Sequence, residues 1–272
     1  MSPGLVADLR WAAARCSQPD TTGLRWLLGL VLGGAGLAIL VLATQGYRGG
    51  FAPLHALGGY GFPGLWAQLT FLGDTLLALT LLLFAARRRP DLLWIGLLAA
   101  VVVAAVVHGL KGAVGVLRPP AVLAGDALNV IGPPYSYRSF PSGHAATAFT
   151  LAALAVYGAS SPLTRLAALA VAVPVAASRV VVGVHWPVDV MVGAAIGSGG
   201  VLVAVGLARH WQWGFTPWGH GLAVALLAGC AVGLVGHDGG YPQAGPLAAG
   251  VGVAALAFAL GDYCRGGGVL AR

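Results

Sequence analysis

Apolar residues fall in eight runs along this chain, at about 24–44, 67–86, 92–110, 144–160, 164–183, 188–208, 216–236 and 246–262. Most approach the roughly 20 residues that a helix needs to cross the hydrocarbon of a bilayer. The fourth and the last are short. Gly and Ala are plentiful inside the runs, which suits helices packed closely against one another. No tandem repeat is evident and no low-complexity linker divides the chain. The pattern predicts one all-α domain, a polytopic membrane helix bundle. Some 23 residues precede the first run, so the N-terminus does not read as a cleaved signal peptide. Residues 5–16 suit a short interfacial helix with Leu5, Leu9 and Trp11 toward lipid, or equally a disordered basic lead-in.

Composition agrees. Of 272 residues 58% are hydrophobic and 8% charged, against roughly 25% charged in a soluble domain. All eight acidic residues are Asp. A water-facing surface cannot be made from so few charges. The net charge of +7 does not point to nucleic acid, because the basic residues are scattered and no run combines them with stacking aromatics. Cys16, Cys230 and Cys264 have no metal or redox spacing, and neither a disulfide nor a metal site is expected from them.

Lys and Arg placement sets the expected orientation. With a cytoplasmic N-terminus, Arg10, Arg15, Arg25, Arg87, Arg88, Arg89, Arg165, Arg209, Arg265 and Arg272 are cytoplasmic, and Arg48, Lys111, Arg118, Arg138 and Arg179 lie opposite. Both termini are then cytoplasmic, with eight spans between them. Four of the five outer cations belong to or flank three polar patches at span ends.

The first patch is Lys111 to Pro119. If helical, Lys111 and Arg118 are two turns apart and face the same way, with Pro119 and Pro120 ending the helix. Two such cations suit an anion, although basic side chains also snorkel to an interface. The second is Pro141-Ser142-Gly143-His144. Ser142 can cap the helix that follows, Gly143 lets a ligand approach the backbone, and a helix N-terminus is an anion site. An ordinary capping turn reads the same way. The third runs from Ser178 and Arg179 to His185 and Asp189. A carboxylate one turn from an imidazole fixes its tautomer and leaves the other nitrogen free to attack.

Taken together the patches supply three cations, two His, an Asp and a capped helix start on one side of the membrane. In this they resemble the type-2 phosphatidic acid phosphatase superfamily of membrane lipid phosphatases. Its signature, K-x6-R-P, P-S-G-H and S-R-x5-H-x3-D, is matched in order by Lys111/Arg118/Pro119, Pro141–His144 and Ser178/Arg179/His185/Asp189. The resemblance implies a six-span core over 24–208, preceded by an N-terminal segment, 1–23, and followed by two accessory spans and a tail, 209–272. It implies His185 as the nucleophile that forms a phosphohistidine, Asp189 as its orienting partner, and His144 as acid and then base. Lys111, Arg118, Arg179, Ser142 and Gly143 would hold the phosphoryl oxygens. No cofactor is called for, since the cations do what Mg²⁺ does elsewhere.

The partner expected is a lipid phosphate presented by the bilayer, with no nucleic acid and no obligatory protein. Polyprenyl pyrophosphate, phosphatidylglycerophosphate, phosphatidic acid and lipid A types all fit an outward pocket in an inner membrane. Residues 45–66 and 120–140 are expected to wall the head group, with Tyr135, Tyr137 and Arg138 available for contact. Asp74, inside the second span, is expected either to support one of the cations from behind or to bond a neighbouring hydroxyl or amide. His108, His220 and His237 are expected to be structural or surface residues. A lipid phosphotransferase uses the same motifs, and a catalytically inactive lipid-binding relative would have the same spans. The last two spans contain no chemically suggestive cluster.

Overall fold

The computed structural model describes residues 3–60, 63–123 and 128–264. Its described residues form eleven α-helices and no strand, and the longest connection joins α6 to α7. They are α1 (Pro3–Ser17), α2 (Thr21–Gln45), α3 (Phe51–Ala56), α4 (Pro63–Phe71), α5 (Thr75–Leu81), α6 (Pro90–Val114), α7 (Gly143–Gly158), α8 (Pro162–Val181), α9 (Pro187–His210), α10 (Pro217–Val235) and α11 (Gly245–Cys264). Among the described residues, six helices are long and apolar enough to cross a membrane, or seven if the bent pair of α4 and Thr75–Ala85 counts as one span. This is a multi-pass membrane helix bundle.

The helix starts are written locally. Asp20 accepts from the amides of Thr22 and Gly23 at the head of α2. Ser161 and Thr216 cap α8 and α10, each followed by a proline that cannot donate and so loses nothing at the first helical position.

One expectation about the spans changes, and the fourth run is short as expected. The run at 67–86 is not one helix: α4 and the stretch Thr75–Ala85 meet at 61°. Asp74 causes the break by accepting from the amides of Leu76 (2.8 Å) and Leu77 (3.3 Å), so that it starts a new helix rather than continuing the old one. The 144–160 run forms α7, whose 16 residues are about 24 Å long, short of a roughly 30 Å hydrocarbon core. It can be short because it packs against α6, α8 and α9 inside the bundle rather than facing lipid.

The closeness of α7 to α9 comes from two glycines. A Cβ at Gly193 would sit 2.5 Å from the Ser142 carbonyl oxygen, and one at Gly197 would overlap the Ala146 carbonyl. Asp189, Gly193 and Gly197 are spaced i, i+4, i+8 and share a face of α9. The face that admits α7 is therefore the face that carries Asp189.

At the far end of the bundle the ends of the chain are tied down. Arg87 lies 3.7 Å from Asp8, Arg88 2.8 Å from Asp262, and Arg165 3.7 Å from Asp20. The N-terminal segment is helical, but Leu5 and Leu9 are buried against the protein, not turned to lipid. The amphipathic pattern of 5–16 was real; its apolar face packs on α6 and α9. Arg265 and Arg272, counted toward the orientation, lie outside the described residues.

Candidate active site

The three patches meet at the end of the bundle opposite those ion pairs. After α8 the chain reverses within five residues. Gly183 takes φ +80°, a left-handed conformation open to glycine, and the amides of Val184 and His185 both donate to the Arg179 carbonyl at 3.2 Å. That turn delivers His185 to the mouth of α9. Pro187 occupies the first turn of α9, and Asp189 reaches back to accept from the Trp186 amide at 2.9 Å.

Asp189 is fully buried and holds four donors. Its Oδ2 accepts from the Trp186 amide, from Ser139 Oγ at 2.5 Å and from His185 Nδ1 at 3.2 Å; its Oδ1 accepts from the Tyr47 hydroxyl. Burial and the neighbouring carboxylate both push the Tyr47 phenol well above its ordinary pKa, so it stays a donor. With Nδ1–H committed to Asp189, the other ring nitrogen of His185, Nε2, carries the lone pair. It accepts from Arg118 Nη1 at 3.2 Å. Burial, opposed by the Asp189 hydrogen bond, lowers the His185 pKa to about 3. The ring is neutral and held in one orientation.

The cations converge by a route the sequence did not show. α6 ends at Val114, with Gly115 left-handed (φ +59°), and Arg118 lies beyond it in extended backbone. Lys111 and Arg118 therefore do not share a helix face. They meet through the backbone of Arg138, whose carbonyl accepts from Lys111 Nζ (2.9 Å) and Arg118 Nη2 (3.5 Å). Arg118 also donates to the carbonyls of Tyr137 (2.9 Å) and Val184 (3.2 Å), and Tyr135 stacks over its guanidinium at 5.1 Å. Tyr137 and Arg138, expected to touch a head group, contribute carbonyls to the scaffold of the cations. Part of the expected wall, residues 61–62 and 124–127, lies outside the described residues.

Arg179 is buried on the far side of the turn. Its Nη1 donates to Thr70 Oγ1 (2.6 Å) and to the Tyr241 hydroxyl (3.0 Å), while its Nε has no acceptor among the described residues. Ser142 caps α7: its Oγ accepts from the Ala145 amide at 3.4 Å, and its own amide donates to the Asp189 carbonyl at 3.0 Å. The Ser142 N–H is thus spent on joining α7 to α9, leaving its hydroxyl hydrogen and the Gly143 amide for an anion. His144 follows, half-buried, with no hydrogen bond to a described residue. An apolar cleft of about 130 Å³ runs from Gly143 between α5, α6 and α7, past Val107, Val103, Ala78 and Leu151.

Asp74 does not stand behind a cation. Its Oδ1 caps α5, and its Oδ2 lies 3.1 Å from His237 Nε2. The physical reason is the helix break, which turns the carboxylate toward amides instead of into the site. His237 and His220 have structural partners, His220 Nε2 lying 2.5 Å from the Tyr263 hydroxyl, and His108 bonds the Ala104 carbonyl one turn back. The residues that sequence reasoning missed are Tyr47, Ser139, Thr70 and Tyr241. Only Ser139 had a visible signal, its place two residues before Pro141.

Comparison with known proteins finds similar chains. Residues 91–214 match the PAP2 superfamily model. Decaprenylphosphoryl-5-phosphoribose phosphatase of Mycobacterium tuberculosis is 38% identical over 144 residues, 51% of this chain and 75% of that protein. Lipid A 1-phosphatase of Rhizobium johnstonii is 30% identical over 233 residues, covering 74% of this chain and 88% of the relative. Lipid A 1-phosphatase of Porphyromonas gingivalis is 43% identical over 75 residues, a match that spans only 16% of its length. The crystal structure of Aquifex aeolicus LpxE superposes with a TM-score of 0.50 at 27% identity, covering 57% of this chain and 93% of that one.

Proposed function

The chain belongs to the PAP2 superfamily, and on that premise we propose that it is a membrane phosphatase that removes a phosphate from a membrane lipid through a phosphohistidine on His185. The observation that carries the proposal is the line Asp189–His185–Arg118. It holds Nδ1–H on a carboxylate and aims the Nε2 lone pair at a cation-lined space.

The chemistry follows from the groups around that space. A phosphoryl group bound there meets the free edge of Arg179, the Arg118 guanidinium, Lys111, the Ser142 hydroxyl and the Gly143 amide. Nε2 attacks phosphorus and the bond from phosphorus to the lipid oxygen breaks. His144, protonated once the negative charge of the bound phosphate offsets the cations around it, gives that proton to the departing oxygen, and Asp189 stabilises the positive ring that results. Water then loses a proton to His144 and attacks phosphorus. The N–P bond breaks, phosphate leaves, and both histidines return to their starting state. Negative charge grows on the phosphoryl oxygens at each transition state, where fixed cations lower the barrier.

We propose that the reaction needs no metal. Asp189, the carboxylate in contact with the nucleophile, already holds four donors and has little left to offer a cation. The lipid is proposed to lie with its chain in the cleft that opens at Gly143. A polyprenyl or glycerolipid phosphate or pyrophosphate fits, and the relatives are named for polyprenyl and lipid A phosphates. The ends tied by Arg87, Arg88 and Arg165 are proposed to be cytoplasmic, which places the site on the outer face of an inner membrane.

The test is phosphate release by the purified chain in detergent with EDTA. Polyprenyl pyrophosphate, phosphatidylglycerophosphate, phosphatidic acid and lipid A would be offered in parallel. Release from at least one at an undiminished rate is expected. A rate abolished by EDTA and restored by a divalent ion contradicts the metal-free mechanism, and no release from any lipid contradicts the assignment.

A further inference from the structure

The helices α10 and α11 lie beyond the residues that match the family model, and no motif marks them. Yet the segment joining them enters the site. Tyr241 is 2% exposed, packed with Phe71, Leu234 and Ala248, and Gly132 lies so near that any Cβ there would overlap its ring. A second tie holds the same segment, His237 against Asp74 at 3.1 Å. The Tyr241 hydroxyl is therefore a fixed point, and what it fixes is Arg179.

We infer that Tyr241 is a positioning residue for phosphate binding, which makes the α10–α11 hairpin part of the active site. The inference rests on the phosphatase reading above. A guanidinium has five N–H donors in a rigid plane. Both hydrogens of Nη1 are taken, one by Thr70 Oγ1 and one by Tyr241. These two acceptors set the plane from one side and leave the opposite edge, Nε and Nη2, as a two-pronged fork. Nε is buried without an acceptor among the described residues, a costly state for an empty site and a fitting one for a site that receives a phosphoryl oxygen. The choice of acceptors matters as well. No carboxylate pairs with Arg179 among the described residues, so two neutral hydroxyls orient it and its full charge remains for the anion.

The inference is tested on the full chain with Tyr241→Phe, which keeps the ring and removes the oxygen. Thr70→Val, Arg179→Lys and the double variant Tyr241→Phe/Arg179→Lys complete the set. Inorganic phosphate is the binding probe, titrated by calorimetry, and kcat and KM are measured on the best lipid. Tyr241→Phe is expected to bind phosphate about tenfold more weakly and to lose about tenfold or more in kcat/KM. Thr70→Val is expected to do the same, and Tyr241→Phe is expected to add nothing to Arg179→Lys.

A purely structural tyrosine would shift the melting temperature and leave the phosphate affinity of the folded protein alone. Wild-type phosphate affinity in folded Tyr241→Phe, or an undiminished effect in the Arg179→Lys background, overturns the inference. If Tyr241→Phe does not fold, Thr70→Val decides in its place. Should the wild-type chain act on no lipid, the phosphatase reading fails while phosphate titration still decides the role of Tyr241.

Discussion

His185 Nε2 accepts a hydrogen bond from Arg118 Nη1 at 3.2 Å, so the lone pair proposed to attack phosphorus rests against a cation. A bound phosphoryl oxygen would compete for the same Nη1 hydrogen. As it draws Arg118 to itself, it releases the nucleophile that faces it. Arg118 stays in place during the exchange because its Nε is held by the Tyr137 carbonyl.

Asp189→Asn is the direct probe of the tautomer. The amide can present its NH₂ group to Nδ1, which leaves the ring hydrogen on Nε2 and removes the attacking lone pair. A fall in kcat of about 10⁴ is expected, the size seen when the orienting Asp of a serine-protease triad becomes Asn. Steady-state kinetics checks it, with the melting temperature measured alongside to show that the variant is folded.

Ser139→Ala and Tyr47→Phe each remove one donor from the buried Asp189 carboxylate. Hydrogen bonds to a charged group contribute roughly 1.5–3 kcal/mol, so each variant should unfold at a lower temperature than wild type and keep part of its activity. A thermal melt in detergent reads the stability. Wild-type stability in both variants would mean that Asp189 does not depend on them.

The low pKa of His185, about 3, has two consequences. The folded state keeps the ring neutral below pH 6.5, where an unfolded chain protonates it. The unfolded state therefore binds more protons between about pH 3 and 6.5, and stability falls as pH is lowered through that window. A His185→Gln variant should lose part of this acid-side slope, which a series of melts at different pH would show. In the wild type, the acid limb of kcat/KM should not come from protonation of His185 near its ordinary pKa.

Gly193 and Gly197 hold α7 against the face of α9 that carries Asp189. Gly193→Ala would drive a methyl to within 2.5 Å of the Ser142 carbonyl, and Ser142 begins the helix that carries His144. A loss of roughly 1–3 kcal/mol is expected, the usual cost of overpacking, together with a drop in kcat larger than that in Gly206→Ala. Gly206 has nothing within 4 Å and serves as the control.

The spans and the three motifs were legible because each is local. Apolar runs of about 20 residues, a serine before a helix start and a histidine four residues from an aspartate all lie within a turn or two of chain. What was not legible joins residues far apart in sequence. Tyr241 reaches Arg179 across 62 positions and Tyr47 reaches Asp189 across 142, and nothing in the chain near either tyrosine marks a partner. Lys111 and Arg118 misled for the opposite reason. Their spacing suits two helical turns, but Gly115 ends the helix between them, and a carbonyl from residue 138 brings them together instead. Asp74 left two readings open, a cation or a nearby hydroxyl or amide; the backbone amides of its own helix break are the partners.

The central claim is that His185 carries the phosphoryl group between lipid and water. It is tested most directly by quenching the purified enzyme in EDTA during turnover of a radiolabelled lipid phosphate and mapping the label. The account expects an acid-labile, base-stable phosphate on the peptide containing His185, absent from His185→Ala, which should also have no measurable turnover. Label on another residue, or full turnover in His185→Ala, would contradict it.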